Sequence, residues 1–187
     1  VRASGNEYVK ASHYVGGIAG INAGLILNCT NNTNVIGHYN VGGIAGSVGT
    51  QFSDKNQVSG RVINCVNNGN ITSTSTSLAH AGGITGQLSW GEISYCANRG
   101  TVLAPYKENT SFSNVRIVGL GGIAGSGINA EGSKIDRCYN EGQIGNLDGN
   151  YIAGIIGLNY SAEVTNVYSK GNITGSIYSG GLFGFMT

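Results

Sequence analysis

The chain contains the segment Val62-Ile63-Asn64-Cys65-Val66-Asn67-Asn68-Gly69-Asn70-Ile71, and similar segments recur at 26–35, 93–102, 135–144 and 164–173. A β-branched residue begins and ends every copy, and Cys or Val occupies the fourth position. Short apolar stretches that alternate with Asn and Gly are typical of brief strands joined by tight turns. The segment therefore predicts a strand-rich unit that is repeated along the chain.

A second motif, [GA]-G-[IL]-x-G, precedes each copy of this segment. It occurs six times, at 16–20, 42–46, 82–86, 121–125, 153–157 and 180–184. One repeat thus consists of the glycine motif, a variable link, the longer segment and another link. We expect coils that start near residues 17, 43, 83, 122 and 154, and a partial coil from residue 181.

Aligned repeats place equivalent residues in columns, and the apolar columns predict the fold. The column three positions before the cysteine contains only β-branched residues: Ile26, Val62, Ile93, Ile135 and Val164. Such side chains can stack inside a tube, where burial of each contributes roughly 1.5–3 kcal/mol. We predict an all-β fold, a parallel β-solenoid of about five coils with three short strands each. Parallel crossovers favour a right-handed coil.

The polar columns are as regular as the apolar ones. Asn31, Asn67, Asn98 and Asn140 share one column with Ser169, and we expect each Asn to bond to local backbone or to the Asn above it. Two positions later a column that is mostly glycine predicts positive φ angles. The links that vary in length are predicted to lie on the surface: 47–60, 73–79, 103–118 and 146–150.

The composition excludes several classes of function. The chain has 33 Gly, 10% charged residues and a net charge of +1, which gives no basis for binding nucleic acid or an anionic membrane. Its apolar runs are too short and too often broken by glycine to span a bilayer. Residues 1–10 do not resemble a signal peptide, and no initiator Met is present. We therefore expect residues 1–187 to form a single solenoid domain cut from a larger protein.

The residues that carry chemistry are scattered. Cys29, Cys65, Cys96 and Cys138 share a column with Val167, which favours small buried free thiols, although bridges between adjacent coils stay open. Three isolated histidines form no HExxH pattern: His13, His38 and His80. The acidic residues, including Asp54, Asp136 and Asp148, are dispersed over different coils and links. We expect no catalysis, no metal site and no cofactor.

Tyrosine gives the one pattern that suggests binding. Tyr139 and Tyr168 occupy one column one position after the cysteine, and Tyr151 and Tyr178 share another column. Exposed tyrosine rows can stack on sugars or contact proteins, because the ring is apolar and its hydroxyl is polar. They can equally stabilise packing between strands. These four residues are the candidate ligand contacts.

The Gly-Gly-Ile-Ala-Gly motif, followed by Ile-x-Asn-Cys-x-Asn-x-Gly-x-Val, resembles the GLUG motif over roughly residues 14–185. Similar repeats occur in IgA1-specific metallo-endopeptidases and in large adhesin-like surface proteins of gut and oral bacteria. The resemblance implies a secreted or cell-surface bacterial protein. Together with the regular coils and the tyrosine rows, it leaves three roles open: a non-catalytic stalk or adhesive module, a carbohydrate-binding module that uses those tyrosines, and an accessory scaffold of a secreted metallo-endopeptidase. Partners would be a host or cell-wall glycan or protein, and the solenoid ends could associate end to end.

Overall fold

The computed structural model of the protein describes residues 13–53, 56–75, 78–104, 117–128, 130–145, 150–175 and 177–187. Throughout these residues the chain forms short strands and contains no helix. The strands assemble into five parallel sheets and one antiparallel hairpin. This all-β architecture of stacked parallel strands confirms the predicted solenoid-like fold, while its handedness stays a prediction. We number the sheets 1 to 5 in the order in which one coil visits them.

Sheets 1 and 2 each hold six strands in the described part of the chain. Sheet 1 consists of Tyr14–Gly16, Asn40–Gly42, Leu78–Gly82, Ile117–Gly121, Tyr151–Ala153 and Ser179–Gly180. Sheet 2 consists of Ala19–Asn22, Ala45–Val48, Thr85–Leu88, Ala124–Gly127, Ile156–Asn159 and Phe183–Met186.

Sheets 3, 4 and 5 each hold five described strands. Sheet 3 consists of Leu25–Leu27, Gly60–Ile63, Gly91–Ser94, Lys134–Asp136 and Glu163–Thr165. Sheet 4 consists of Thr30–Asn31, Val66–Asn67, Ala97–Asn98, Tyr139–Asn140 and Tyr168–Ser169. Sheet 5 consists of Val35–Gly37, Ile71–Ser73, Val102–Leu103, Ile144–Gly145 and Ile173–Thr174.

Two of the predicted surface links can be compared with the structure in part. The link 47–60 carries the hairpin, in which Thr50–Ser53 pairs with Asn56–Val58. Asn56 and Gln57 in this hairpin are exposed, as predicted. Ser47 and Val48 at the start of the same link, and Ser73 and Ser75 in the link 73–79, are buried, so the surface prediction is wrong there. Most of the link 103–118, and residues 146–149 of the link 146–150, lie outside the described residues.

The strand register reproduces the alignment of the repeats. Val62 pairs with Ile26 on one side and with Ile93 on the other, and Ile71 pairs with Val35 and Val102. The prediction of three strands per coil is wrong, because in the described residues the first five coils each contribute one strand to all five parallel sheets. The residue before the cysteine column adopts a left-handed conformation, as at Asn64 with φ 53°. This turn divides what the sequence presents as one long strand.

The apolar columns fill two separate cores. One core lies between sheets 2 and 3 and includes the cysteine column, and the other lies between sheets 1 and 5. Ile44, Ile84, Ile123 and Ile155, which follow the paired glycines, are fully buried in the first core. Their burial in four successive coils, while Ile18 in the first coil is exposed, means that each repeat covers the apolar face of the next, so stability accumulates through contacts between neighbours.

The glycines that follow the sheet 4 strands are required for a different reason from the one predicted. Gly69, Gly100 and Gly142 do not adopt positive φ angles, so that prediction is wrong. Instead, a Cβ atom on any of them would overlap a backbone carbonyl of the preceding coil. Glycine is required here because successive coils approach closely at this corner.

A continuous ladder of asparagine side chains joins the coils. The Nδ2 groups of Asn31, Asn67 and Asn98 each donate to the Oδ1 atom of the next Asn at 2.8 Å. Each Nδ2 also donates to the carbonyl two residues ahead in its own coil. The last member, Asn140, donates to the Oγ atom of Ser169 at 3.2 Å. The ladder confirms the predicted stacking and satisfies amides that are otherwise buried away from water.

The four cysteines are free thiols, and three of them are buried while Cys29 is half-buried. Each Sγ atom donates to the carbonyl two residues earlier, at 3.2–3.3 Å. The hydrogen bond with the Cys96 side chain, together with burial, raises the pKa of the Cys65 thiol. The corresponding bond with Cys138 raises the pKa of Cys96. These thiols therefore stay protonated at neutral pH and pack as small apolar groups.

This arrangement predicts selective alkylation of Cys29. In the folded protein at pH 8, iodoacetamide should modify Cys29 at least about tenfold faster than the other three thiols, because Cys29 is half-buried and the other three are buried away from the reagent. Peptide mapping by mass spectrometry measures each rate. After denaturation all four should react alike, and Cys29→Ser should leave a folded protein that resists alkylation. Equal rates at Cys29 and Cys96 in the folded state would contradict the prediction.

Candidate functional site

The first predicted tyrosine pair forms a stack on sheet 4. The rings of Tyr139 and Tyr168 lie 5.1 Å apart between centroids with an interplanar angle of 2°. Arg99 donates from Nη2 to the Tyr139 hydroxyl at 3.3 Å, and the Lys170 ammonium lies 5.3 Å from the Tyr168 ring centroid. The stack therefore turns the two ring faces toward each other. This contact supports packing between strands, and ligand contact by the pair stays a prediction.

The second predicted pair lies on sheet 1. Tyr151 and Tyr178 stack with centroids 5.3 Å apart and an interplanar angle of 5°. Phe185 meets both rings edge-on, at 5.8 and 6.3 Å, and Tyr160 contacts Phe185 at 6.0 Å. The sequence columns did not reveal Phe185 or Tyr160, because both belong to different columns from the two tyrosines. A ligand role for Tyr151 and Tyr178 also stays a prediction.

The Phe185 contacts mark a line along which sheets 1 and 2 meet. Along this line one row of side chains from sheet 1 faces one row from sheet 2, and both rows run from coil to coil. We call these two rows the seam. In the last coils the seam is apolar, because Leu158 and Phe185 share the sheet 2 row and Phe185 contacts Tyr151 and Tyr178. In the middle coils it consists of small polar residues: Asn40, Ser47, His80, Gln87 and Ser126. Glycine between the rows permits the close approach, since a Cβ atom on Gly125 would lie 2.7 Å from the His80 carbonyl carbon.

Three polar atoms of the seam are buried and have no hydrogen-bond partner among the residues that the structure describes: Asn40 Oδ1, His80 Nδ1 and Ser126 Oγ. His80 is 4% exposed. Burial lowers the pKa of its imidazole to about 4, so the ring is neutral at physiological pH.

The burial of His80 predicts that the protein loses stability in mild acid. The folded pKa is about 4, whereas the unfolded pKa is about 6.5, so the unfolded chain binds the proton more tightly. Between pH 6.5 and pH 4 this difference should lower the free energy of unfolding by about 3 kcal/mol. Urea denaturation at several pH values measures the loss.

The matched variants separate His80 from other titrating groups. His80→Asn places at this position the residue found at Asn40 in the same column, and it should flatten the slope between pH 6.5 and 4. His13→Asn changes an exposed histidine and should leave the slope as it is. An unchanged slope in His80→Asn would refute the assignment.

Near the first coils the seam opens into a cleft of about 160 Å³. It is lined by Tyr14, Ser47, Gly49, Thr50, Gln87, Ser89 and Trp90. Sequence reasoning missed this site, because its residues come from different columns and from the links that follow sheet 2. Trp90, the only tryptophan in the chain, gave no signal in the repeat alignment.

Among the acidic residues, Asp136 is held in a saturated hydrogen-bond network. Its Oδ1 atom accepts from Thr165 Oγ1 at 2.8 Å and from Asn166 Nδ2 at 2.7 Å, and its Oδ2 atom pairs with Arg137 Nη1 at 2.7 Å. The hydrogen bond from Asn166, followed by that from Thr165, lowers the pKa of the Asp136 carboxyl. These contacts assign Asp136 to the joint between two coils. Asp54 and Asp148 lie outside the described residues.

Across the ranges given above, the structure contains no group of three or more His, Cys, Asp or Glu side chains placed to hold a metal ion. Within the same ranges, no helix is present that is long and apolar enough to cross a bilayer.

Comparison with known proteins identifies one repeat. The family model of the GLUG motif matches residues 148–174, a segment that includes the last complete tyrosine-bearing coil. This match confirms the resemblance to GLUG repeats that the sequence predicts. No curated protein and no solved structure matches the chain.

Proposed function

We propose that this chain is a non-catalytic repeat module of a large secreted or cell-surface bacterial protein, where it serves as a stalk with an adhesive surface. The observation that carries the proposal is the unbroken stacking of coils in register. Main-chain pairing continues through all five sheets, and the asparagine ladder continues through four coils. A structure that grows by adding equivalent coils suits a spacer of adjustable length.

The surface suits an adhesive role, because the outer positions vary while the inner columns are constant. The sheet 4 face presents Thr30 and Val66 in the first two coils, carries a buried Ala97 in the third, and presents Tyr139 and Tyr168 in the next two. The links add features such as the hairpin at 50–58. Such variation on a constant frame allows binding residues to diverge without loss of the fold. End-to-end association of solenoid ends is a further part of this proposal.

Surface labelling tests the cellular part of the proposal. Antibodies against the purified chain should label intact cells of the producing bacterium, or detect the protein in the culture medium, without permeabilisation. Label that appears only after permeabilisation would contradict the proposal.

Adhesion tests the second part. Beads coated with the chain should attach to host cells or to isolated cell walls more than uncoated beads, and excess soluble chain should block the attachment. Attachment equal to that of uncoated beads would reject the adhesive role and leave the stalk role standing.

A further inference from the structure

The cleft at the start of the seam is a preformed site. Its two walls come from neighbouring coils, and three backbone bonds fix them: Gly49 N to Asn22 O, Ser89 N to Val48 O, and Gly60 N to Trp90 O, at 2.9–3.0 Å. Gly49 has φ 78°, and a Cβ atom there would overlap the backbone of Trp90. The chain thus brings Trp90 and the Ser47–Thr50 wall together through a glycine that tolerates the close approach.

The polar groups of the cleft are oriented. Ser47 and Ser89 are 3% and 5% exposed. Ser47 Oγ donates to the carbonyl of Gly49 at 2.9 Å, and Gln87 Nε2 donates to Ser89 Oγ at 3.0 Å. These bonds leave the Gln87 Oε1 atom and the Ser47 oxygen lone pairs available as acceptors within the described structure. Fixed acceptors of this kind bind ligand hydroxyl groups without the cost of ordering flexible side chains.

The aromatic groups of the cleft are accessible. Tyr14 is 42% exposed and Trp90 is half-buried. An indole or phenol ring packs well against a flat surface of C–H groups, while its polar edge can still form a hydrogen bond. Neither ring is among the stacked aromatic pairs of the last coils.

The charge and size of the cleft restrict its ligand. The described lining contains hydroxyl, amide, aromatic and glycine groups and no charged side chain. A volume of about 160 Å³ is small beside the roughly 300–1,000 Å³ of sites for drug-sized ligands. The lining therefore suits a small neutral ligand that has several hydroxyl groups on one side and an apolar face on the other. A neutral pyranose ring has this combination, whereas an anionic sugar would find no cation.

We propose that the cleft between Tyr14 and Trp90 binds one neutral pyranose ring of a glycan. The proposal names the ligand class of the adhesive surface and rests on that proposed function. The ring face packs on the aromatic side chains, and its hydroxyl groups bond to Gln87 and Ser47. A site for one ring implies weak binding, with a Kd of about 1 mM for a monosaccharide. Many copies of the module would then be needed for firm attachment.

The test uses the single tryptophan as a local probe. The purified chain is titrated with the methyl glycosides of glucose, galactose, mannose and N-acetylglucosamine, with galacturonate and sialic acid as anionic comparisons, while Trp90 fluorescence is recorded. A glycan array that displays the same sugars densely provides the second readout. We expect saturable binding of at least one neutral glycoside and no binding of the anionic sugars.

Three variants place the binding site. Gln87→Ala should raise the Kd at least tenfold in the fluorescence titration, and Trp90→Ala should abolish the array signal. Tyr168→Ala, which removes an aromatic ring outside the cleft, should change neither readout. Thermal unfolding monitored by circular dichroism confirms that each variant is folded, and Trp90→Phe replaces Trp90→Ala on the array if the latter unfolds.

Other outcomes overturn the proposal. They are binding of none of the neutral sugars, preference for the anionic sugars, and binding that survives both cleft variants but is lost in Tyr168→Ala. The last result would move the glycan site to the tyrosine stack. Failure of surface labelling would reject the cellular role and leave sugar binding by the purified chain intact, so the two proposals fail separately.

Discussion

Replacing Gly83 by alanine should lower the free energy of unfolding by about 4 kcal/mol, which lies in the range seen for severe steric clashes in a core. A Cβ atom at this position would overlap the side chain of Asn98 and the carbonyl of Gly122. Neither can move aside easily, because Asn98 is fully buried in the ladder and Gly122 belongs to the paired backbone of the next coil. Chemical denaturation followed by circular dichroism measures the loss.

Gly181→Ala is the matched control for this substitution. Gly181 occupies the same column, but a Cβ atom there would meet no atom within 4 Å in the described structure. We expect its effect to stay below about 1 kcal/mol. Comparable losses in the two variants would show that glycine at this position serves backbone conformation rather than close packing of the coils.

The pairing of strands between coils could be predicted from the sequence. Repetition displays the register directly, because equivalent residues recur at equivalent positions and must stack when the coils do. The alignment therefore placed Val62 opposite Ile26 and Ile93, which are its partners in the structure. It also placed Asn67 beside Asn31 and Asn98. Each pairing is supported by several coils, so an error in one link does not shift the others.

The division of each coil into five strands was harder to predict. The residue before the cysteine column is left-handed in every complete coil, yet its identity changes from Asn28 and Asn64 to Tyr95 and Arg137. Asn commonly adopts this conformation, whereas Tyr and Arg do so rarely. A column with such mixed chemistry does not look like a turn. The surrounding hydrogen bonds fix the turn. Contacts between the stacked coils offset the unfavourable energy of the left-handed conformation.

Site residues that lie in repeat columns could be predicted from the sequence, and those that lie in links could not. The tyrosine stacks were predictable, because Tyr139 and Tyr168 share a column, as do Tyr151 and Tyr178. The cleft was not predictable, since Trp90 and Gly49 lie in links of unequal length and meet only after the chain has turned between coils. Residues on links do not contribute to the stacked core, so they are free to vary between coils. Because they vary, a repeat alignment does not reveal them.

Replacing Asn98 by alanine should also lower the free energy of unfolding by about 4 kcal/mol, because each buried polar group left unpaired costs about 1–3 kcal/mol. The substitution removes the acceptor of Asn67 Nδ2 and the donors to Asn140 Oδ1 and the Gly100 carbonyl, all at 2.8 Å. The site is closed to water, since Asn67, Asn98 and Asn140 are each fully buried. Urea denaturation gives the loss, and amide hydrogen exchange shows whether the opening is centred on the coils beside Asn98.

Two further variants distinguish the buried ladder from asparagine content in general. Asn68→Ala removes a parallel but exposed bond, from Asn68 Nδ2 to Asn32 Oδ1 at 2.7 Å, and it should change stability by less than about 0.5 kcal/mol because water replaces the partner. Asn98→Ser introduces the residue that ends the ladder naturally at Ser169, and its effect should lie between the other two. If Asn98→Ala and Asn68→Ala were equally mild, the coils would be held by backbone pairing and apolar burial alone. A large difference would show that the side-chain ladder is a main bond between successive coils, and that a solenoid of so few charges can remain cohesive through its buried amides.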